Sequence, residues 1–122
     1  MSNARILVVD DEAAVLKYMV TILRRKGYDV YSANDAAAAL KTAQELSCGL
    51  NVLITDVVMP GMNGDELVRT IRQICPYVDV LAITGALVES NQGLVNCRFL
   101  KKPFAPGVLL ETVRDILDNQ IY

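Results

Sequence analysis

Short apolar runs alternate along this chain with stretches whose apolar residues recur at helical spacing. That alternation restricts the fold more than any other feature. Ile6-Leu7-Val8-Val9 reads as a strand and stops at Asp10-Asp11. Over 12–26, Val15, Met19 and Ile22 repeat beside Leu16, Val20 and Leu23, the spacing of one helix face. Gly27 follows, where a left-handed C-terminal residue is wanted. Residues 28–33 alternate like an edge strand, and Asp35 caps an alanine-rich helix reaching Ser47. A further strand spans 51–55 and stops at Asp56, and 59–64 is rich in turn formers. The stretch 65–75 is helical, with Leu67, Ile71 and Ile74 on one face, and Pro76 ends it. Strand 78–83 stops at Thr84-Gly85. Asn91, Gly93 and Asn96 weaken a short helix over 87–95. Residues 98–100 form a short strand. Pro106 suits the first turn of a last helix, whose buried stripe is Leu109, Val113, Ile116 and Leu117.

The resulting order, βαβαβαβαβα, implies a parallel sheet with helices on both faces, an α/β fold. The first, third and fourth strands are nearly continuous apolar runs, as strands buried on both sides are. With 122 residues, 52% of them apolar, a single domain over 1–122 with a well-filled core is expected.

Several function classes are disfavoured. A net charge of -2 argues against a non-specific nucleic-acid or anionic-membrane binder, which carries a basic excess. Cys48, Cys75 and Cys97 are odd in number, form no C-x-x-C pair and have no histidine beside them. They read as reduced, small hydrophobes rather than a disulfide framework or zinc site. A cytoplasmic location is the expectation. No apolar run approaches the ~20 residues of a membrane span, and no signal peptide is visible.

The polar residues fall in a pattern. In open α/β sheets, ligands bind outside the carboxyl ends of the strands. Asp10 and Asp11 end the first strand, Asp56 the third and Thr84 the fourth, and Lys102 follows the fifth. Taken singly, each has a plain structural reading. Asp10-Asp11 would cap a helix, Asp56 would sit in a turn, Lys101-Lys102 would be a solvated pair and Phe99 would be core. Taken together, they would meet in one depression. Two like charges about 4 Å apart cost roughly 4 kcal/mol at an effective dielectric near 20. A divalent cation and the Lys102 ammonium would offset three carboxylates. Oxygen donors without histidine or thiolate suit a hard ion, and Mg²⁺ fits phosphate chemistry best. An ionised aspartate can attack phosphorus without a general base, forming an acyl phosphate. Lys102 would then neutralise equatorial oxygens, and the Thr84 hydroxyl would donate to one of them.

Four segments, in order, resemble response-regulator receiver domains. They are Ile6-Leu7-Val8-Val9-Asp10-Asp11-Glu12, then Leu53-Ile54-Thr55-Asp56-Val57-Val58-Met59-Pro60-Gly61-Met62-Asn63-Gly64, then Ala82-Ile83-Thr84-Gly85, then Phe99-Leu100-Lys101-Lys102-Pro103-Phe104. The resemblance implies a doubly wound, flavodoxin-like sheet of order 2-1-3-4-5. It implies that Asp56 accepts a phosphoryl group from a phosphohistidine on a histidine kinase or histidine phosphotransfer protein. Asp11, Asp56 and the Val58 backbone carbonyl would bind Mg²⁺, with Asp10 reaching it through water. Lys102 would contact the phosphoryl group beside a cis bond to Pro103. Thr84 and Phe99 would be the residues that switch. The domain would modify itself rather than turn over a substrate, would contact neither nucleic acid nor membrane, and would be a monomer or weak dimer.

The chain also departs from the family's pattern. Between Thr84 and Lys102 it is about four residues short, close to one helical turn, so a shortened fourth helix is expected. Such a segment looks like receivers attached to hybrid histidine kinases. Val58 and Ala86, which flank the phosphate in the family, are apolar here, and slow hydrolysis of the acyl phosphate follows. Two other function classes compete. A binding module that never uses phosphate would have lost acids or lysine, yet all five positions are intact. A phosphatase acting through an aspartyl phosphate usually needs a second acid at the position held by Val58.

Overall fold

Arg5–Val9 (β1), Asp29–Ala33 (β2), Val52–Asp56 (β3), Asp79–Thr84 (β4) and Cys97–Lys101 (β5) form one parallel sheet in the order β2-β1-β3-β4-β5. Ala13–Arg25 (α1), Ala36–Glu45 (α2), Gly64–Ile74 (α3) and Pro106–Asp118 (α4) complete the described elements. The structure is a computed structural model and describes residues 3–47, 49–57, 64–85 and 96–120. The expected strand order is the one observed. The expected shortened helix over 87–95, the turn residues 59–63 and Cys48 lie outside the described residues.

The period of two in the strands separates two apolar layers. Leu7, Val9, Leu53 and Val80 face α2 and α3, packing with Ala39, Ala43, Leu67, Val68 and Ile71. Ile6, Val8, Val52, Ile54, Leu81 and Ile83 face the other way, toward Met19, Leu23, Leu109 and Val113 of α1 and α4. Both faces of β1, β3 and β4 are therefore covered, which is why these strands carry apolar residues without alternation. Each fully buried Leu or Ile contributes roughly 1.5–3 kcal/mol relative to exposure.

Local signals hold with small shifts. The Asp35 side chain accepts the Ala38 N–H at 2.8 Å, capping α2 as expected. Gly27 ends the α1 turn at a φ of 100°, a conformation costly for other residues. Pro106 occupies the first turn of α4. The strands β3 and β4 each run one residue further than expected, through Asp56 and Thr84, because their ladder bonds continue into the polar ends. Phe99, which taken singly would have been core, is 43% exposed. β5 is an edge strand, which leaves this residue partly in solvent.

Candidate functional site

The carboxyl ends of β1, β3 and β4 are held level by the sheet register, which pairs Val9 with Thr55 and Asp56 with Ile83. Hydrogen bonds extend this order past the strand ends. The Asp10 N–H donates to Ala33 O (3.2 Å), Val57 N–H to Ile83 O (3.0 Å) and Lys102 N–H to Thr84 O (2.7 Å). The polar residues following each strand are thereby placed side by side, although they are far apart in the chain.

Asp10 is fully buried and Asp56 nearly so, whereas Asp11 is exposed. Carboxylate oxygens of Asp10, Asp11 and Asp56 all lie within 4.8 Å of one another. The Lys102 ammonium donates to Asp10 Oδ2 and to Asp56 Oδ2, each at 3.2 Å. Asp10 Oδ1 also accepts the Glu12 N–H at 2.9 Å. Glu12, not Asp10, is the N-cap of α1, and no side chain caps that helix; one Asp10 oxygen holds the Glu12 N–H just before the helix and the other faces Lys102.

The charges are unequal. Burial pushes the Asp10 carboxyl above its ordinary range, and the Glu12 N–H and the Lys102 ammonium only partly offset that cost. Burial also works against the Lys102 ammonium, but the hydrogen bond and charge of Asp56, with those of Asp10, outweigh it and raise its pKa. One ammonium faces three acids, so the pocket keeps an excess of negative charge.

This donor set fits a hard divalent cation. Mg²⁺ holds oxygens at about 2.0–2.1 Å, so two ligand oxygens on one ion lie at most about 4.2 Å apart. The three carboxylates are close enough to share such an ion with small adjustments. Asp11 and Asp56 keep access to solvent, from which the remaining ligands would come. Val58, whose carbonyl was expected to contribute, lies outside the described residues.

The geometry of the site depends on a glycine. Gly64 begins α3, and its N–H donates to Val57 O at 2.8 Å. A Cβ there would lie 2.8 Å from Asp56 O and 2.8 Å from Val57 Cα. The Gly64 backbone lies so close to that of Asp56 and Val57 that a side chain at 64 has no room. Thr55, fully buried, donates its hydroxyl to the Asp56 carbonyl at 3.0 Å.

Asp10, Asp11, Asp56 and Lys102 are brought together as the sequence pattern suggested. Thr84 ends the neighbouring strand and accepts the Lys102 N–H through its carbonyl. The bond from Lys102 to Pro103 is cis, as the resemblance implied. Phe99 stands on the β5 edge, with its ring partly in solvent. The sequence reading missed one participant, Glu12, whose carboxylate is 3.7 Å from the Lys102 ammonium. Its place directly after the acid pair was the available signal.

Known proteins match along nearly the whole chain. The family model of the response regulator receiver domain matches residues 6–114. The sensor kinase CckA of Brucella abortus (strain 2308) is 33% identical over 122 residues, which cover 97% of this chain and 13% of that protein. The response regulator receiver protein CpdR of the same organism is 32% identical, with 93% of this chain and 96% of that protein covered. A crystal structure of a CheY-like response regulator receiver domain protein from Methanospirillum hungatei JF-1 superposes with a TM-score of 0.90. It is 30% identical, and 98% of this chain and 97% of that one are covered. The chain thus spans a small part of one relative and nearly all of another.

Proposed function

This chain belongs to the response regulator receiver domain family of two-component signalling, and on that premise we propose that Asp56 is its phosphoacceptor. The observation that carries this assignment is the Lys102 ammonium shared between Asp10 and Asp56 within a three-carboxylate cluster. Asp56 sits at the end of a central strand, nearly buried, with its carboxylate beside the one ammonium that can follow charge onto a phosphoryl group.

In the proposed reaction an Asp56 carboxylate oxygen attacks phosphorus in line. The O–P bond forms as the bond from phosphorus to the imidazole nitrogen of a phosphohistidine breaks, and that nitrogen keeps the electron pair. Asp11, Asp56 and the Val58 carbonyl, with Asp10 acting through water, would hold Mg²⁺, which when bound would neutralise charge on the phosphoryl oxygens. Lys102 transfers its hydrogen bond from Asp56 Oδ2 to a phosphoryl oxygen. Thr84, at the end of β4, donates its hydroxyl to another, and Phe99 responds on the neighbouring edge strand β5. The two conformations differ by a few kcal/mol, and the phosphate biases them.

The donor is a histidine kinase or a histidine phosphotransfer protein. The region 1–122 acts as one domain in the cytoplasm, as a monomer or weak dimer, and modifies itself without independent substrate turnover. Among the described residues no helix is long and apolar enough to cross a membrane. Attachment to a hybrid kinase is the fuller context we favour, supported by the likeness to part of a sensor kinase.

Mass spectrometry after acetyl phosphate treatment with Mg²⁺ tests the assignment. One phosphoryl group is expected on the parent protein and none on Asp56→Asn. Equal modification of both would remove Asp56 from the role.

A further inference from the structure

We propose that Tyr18 is a positioning residue for Lys102, acting through the carbonyl of Phe104. The proposal rests on the role given to Lys102 above.

The short segment carrying the lysine is held from two sides. On the sheet side, the Lys102 N–H donates to Thr84 O at 2.7 Å. Two residues on, the Phe104 ring packs against the apolar layer formed with α1 and α4. Its carbonyl faces outward and accepts the Tyr18 hydroxyl at 3.0 Å. The Tyr18 and Phe104 rings also meet, with centroids 6.0 Å apart and planes tilted by 49°. Tyr18 is 39% exposed, so it is not a core residue in the ordinary sense.

The importance of this contact follows from where α1 begins. Its first residues follow directly on Asp10 and Asp11, and the Glu12 N–H is bonded to Asp10 Oδ1. Tyr18 lies six residues beyond Glu12, about 9 Å along a rigid helix at 1.5 Å per residue. One helix therefore carries the acidic segment at its start and, further along, the hydroxyl that anchors the lysine segment. The Tyr18–Phe104 bond closes this frame and sets how far the ammonium stands from Asp10 and Asp56. Without the hydroxyl, water can satisfy the exposed Phe104 carbonyl, and the fold persists. The Lys102 segment then loses its polar anchor to α1 while the Phe104 ring packing stays, and the ammonium samples a wider range of positions. Small misplacements of a charge-neutralising group slow a reaction out of proportion to their size.

The test is Tyr18→Phe, which keeps the ring and removes only the hydroxyl. Phosphorylation by acetyl phosphate is followed against Mg²⁺ concentration in the parent and in Lys102→Met. We expect a several-fold slower rate in the parent background with unchanged Mg²⁺ half-saturation. We expect no further loss in the Lys102→Met background, because the contact acts through that residue. An unchanged rate, or the same loss in both backgrounds, overturns the proposal. Should the parent protein take no phosphoryl group, the phosphoacceptor reading fails on its own. The order parameter of the Lys102 ε-methylene group, measured by NMR relaxation, then decides the role of Tyr18. A lower value in Tyr18→Phe supports it, and an unchanged value overturns it.

Discussion

The Lys102 ammonium stands 3.2 Å from Asp56 Oδ2 and equally far from Asp10 Oδ2, bridging two carboxylates that would otherwise repel each other. Before any cation arrives, this single side chain is the main compensation for the charge of the pocket. It therefore acts on metal binding as well as on the phosphoryl group.

The first prediction concerns that double role. An ammonium in the pocket repels a second cation. Lys102→Met is expected to bind Mg²⁺ several-fold more tightly than the parent, on the order of 1 kcal/mol after solvent screening. Isothermal titration with Mg²⁺ measures it. Equal or weaker affinity in the variant would show that the ammonium does not share the cation's place.

Asp10 leads to a prediction in pH. Its folded pKa is raised, so the folded state holds this proton more tightly than the unfolded chain does. The stability that this proton supplies is fully present below the ordinary carboxyl value. It is lost as pH rises through the folded value. A charge on the fully buried Asp10 therefore weakens the metal-free fold. Asp10→Asn is expected to raise the metal-free unfolding free energy at pH 7. The gain should shrink toward pH 4, as the parent takes up the proton. Thermal unfolding in EDTA at the two pH values checks it, and a loss of stability at pH 7 would contradict the charge balance described here.

Gly64→Ala tests the close approach of Gly64 to the backbone of Asp56 and Val57. The added methyl would meet the Asp56 carbonyl oxygen and Val57 Cα at 2.8 Å, both of them backbone atoms that cannot swing aside. The expected cost is about 1–3 kcal/mol in urea unfolding, the usual range for overpacking. Phosphorylation should slow as well, because the strand end carrying Asp56 must shift. A variant as stable and as reactive as the parent would mean that the backbone relaxes freely.

The lifetime of the phosphorylated state can be altered at Val58. An apolar residue two positions after Asp56 cannot orient an attacking water. Val58→Asn is expected to shorten the lifetime of the aspartyl phosphate several-fold, because a side-chain amide can hold that water. Decay of the phosphorylated protein, followed by mass spectrometry, reads it directly. An unchanged or slower decay would remove the idea.

Much of the architecture could be read from local pattern. The runs 6–9, 51–55 and 78–83 are apolar without alternation, and they became the strands buried on both faces. The Asp35 cap, the Gly27 turn and Pro106 marked element ends because each satisfies or removes a backbone group locally. Phe99 on its own pattern read as core, and only its place beside the other site residues set that reading aside; its exposure on the edge strand agrees. Glu12 and Tyr18 were passed over because their partner atoms belong to residues far along the chain.

The amino-acid sequence alone determined the succession of strands and helices, the faces they bury and the presence of acids at strand ends. These depend on periods of two and 3.6 residues and on turn chemistry, which act over a few neighbours. Only the tertiary structure decided that Lys102 reaches Asp56 across 46 positions and Asp10 across 92, and that the Tyr18 hydroxyl meets the Phe104 carbonyl across 86. It also decided that Gly64 must lack a side chain. Such distances follow from strand register and the return path of each crossover, which no local pattern encodes.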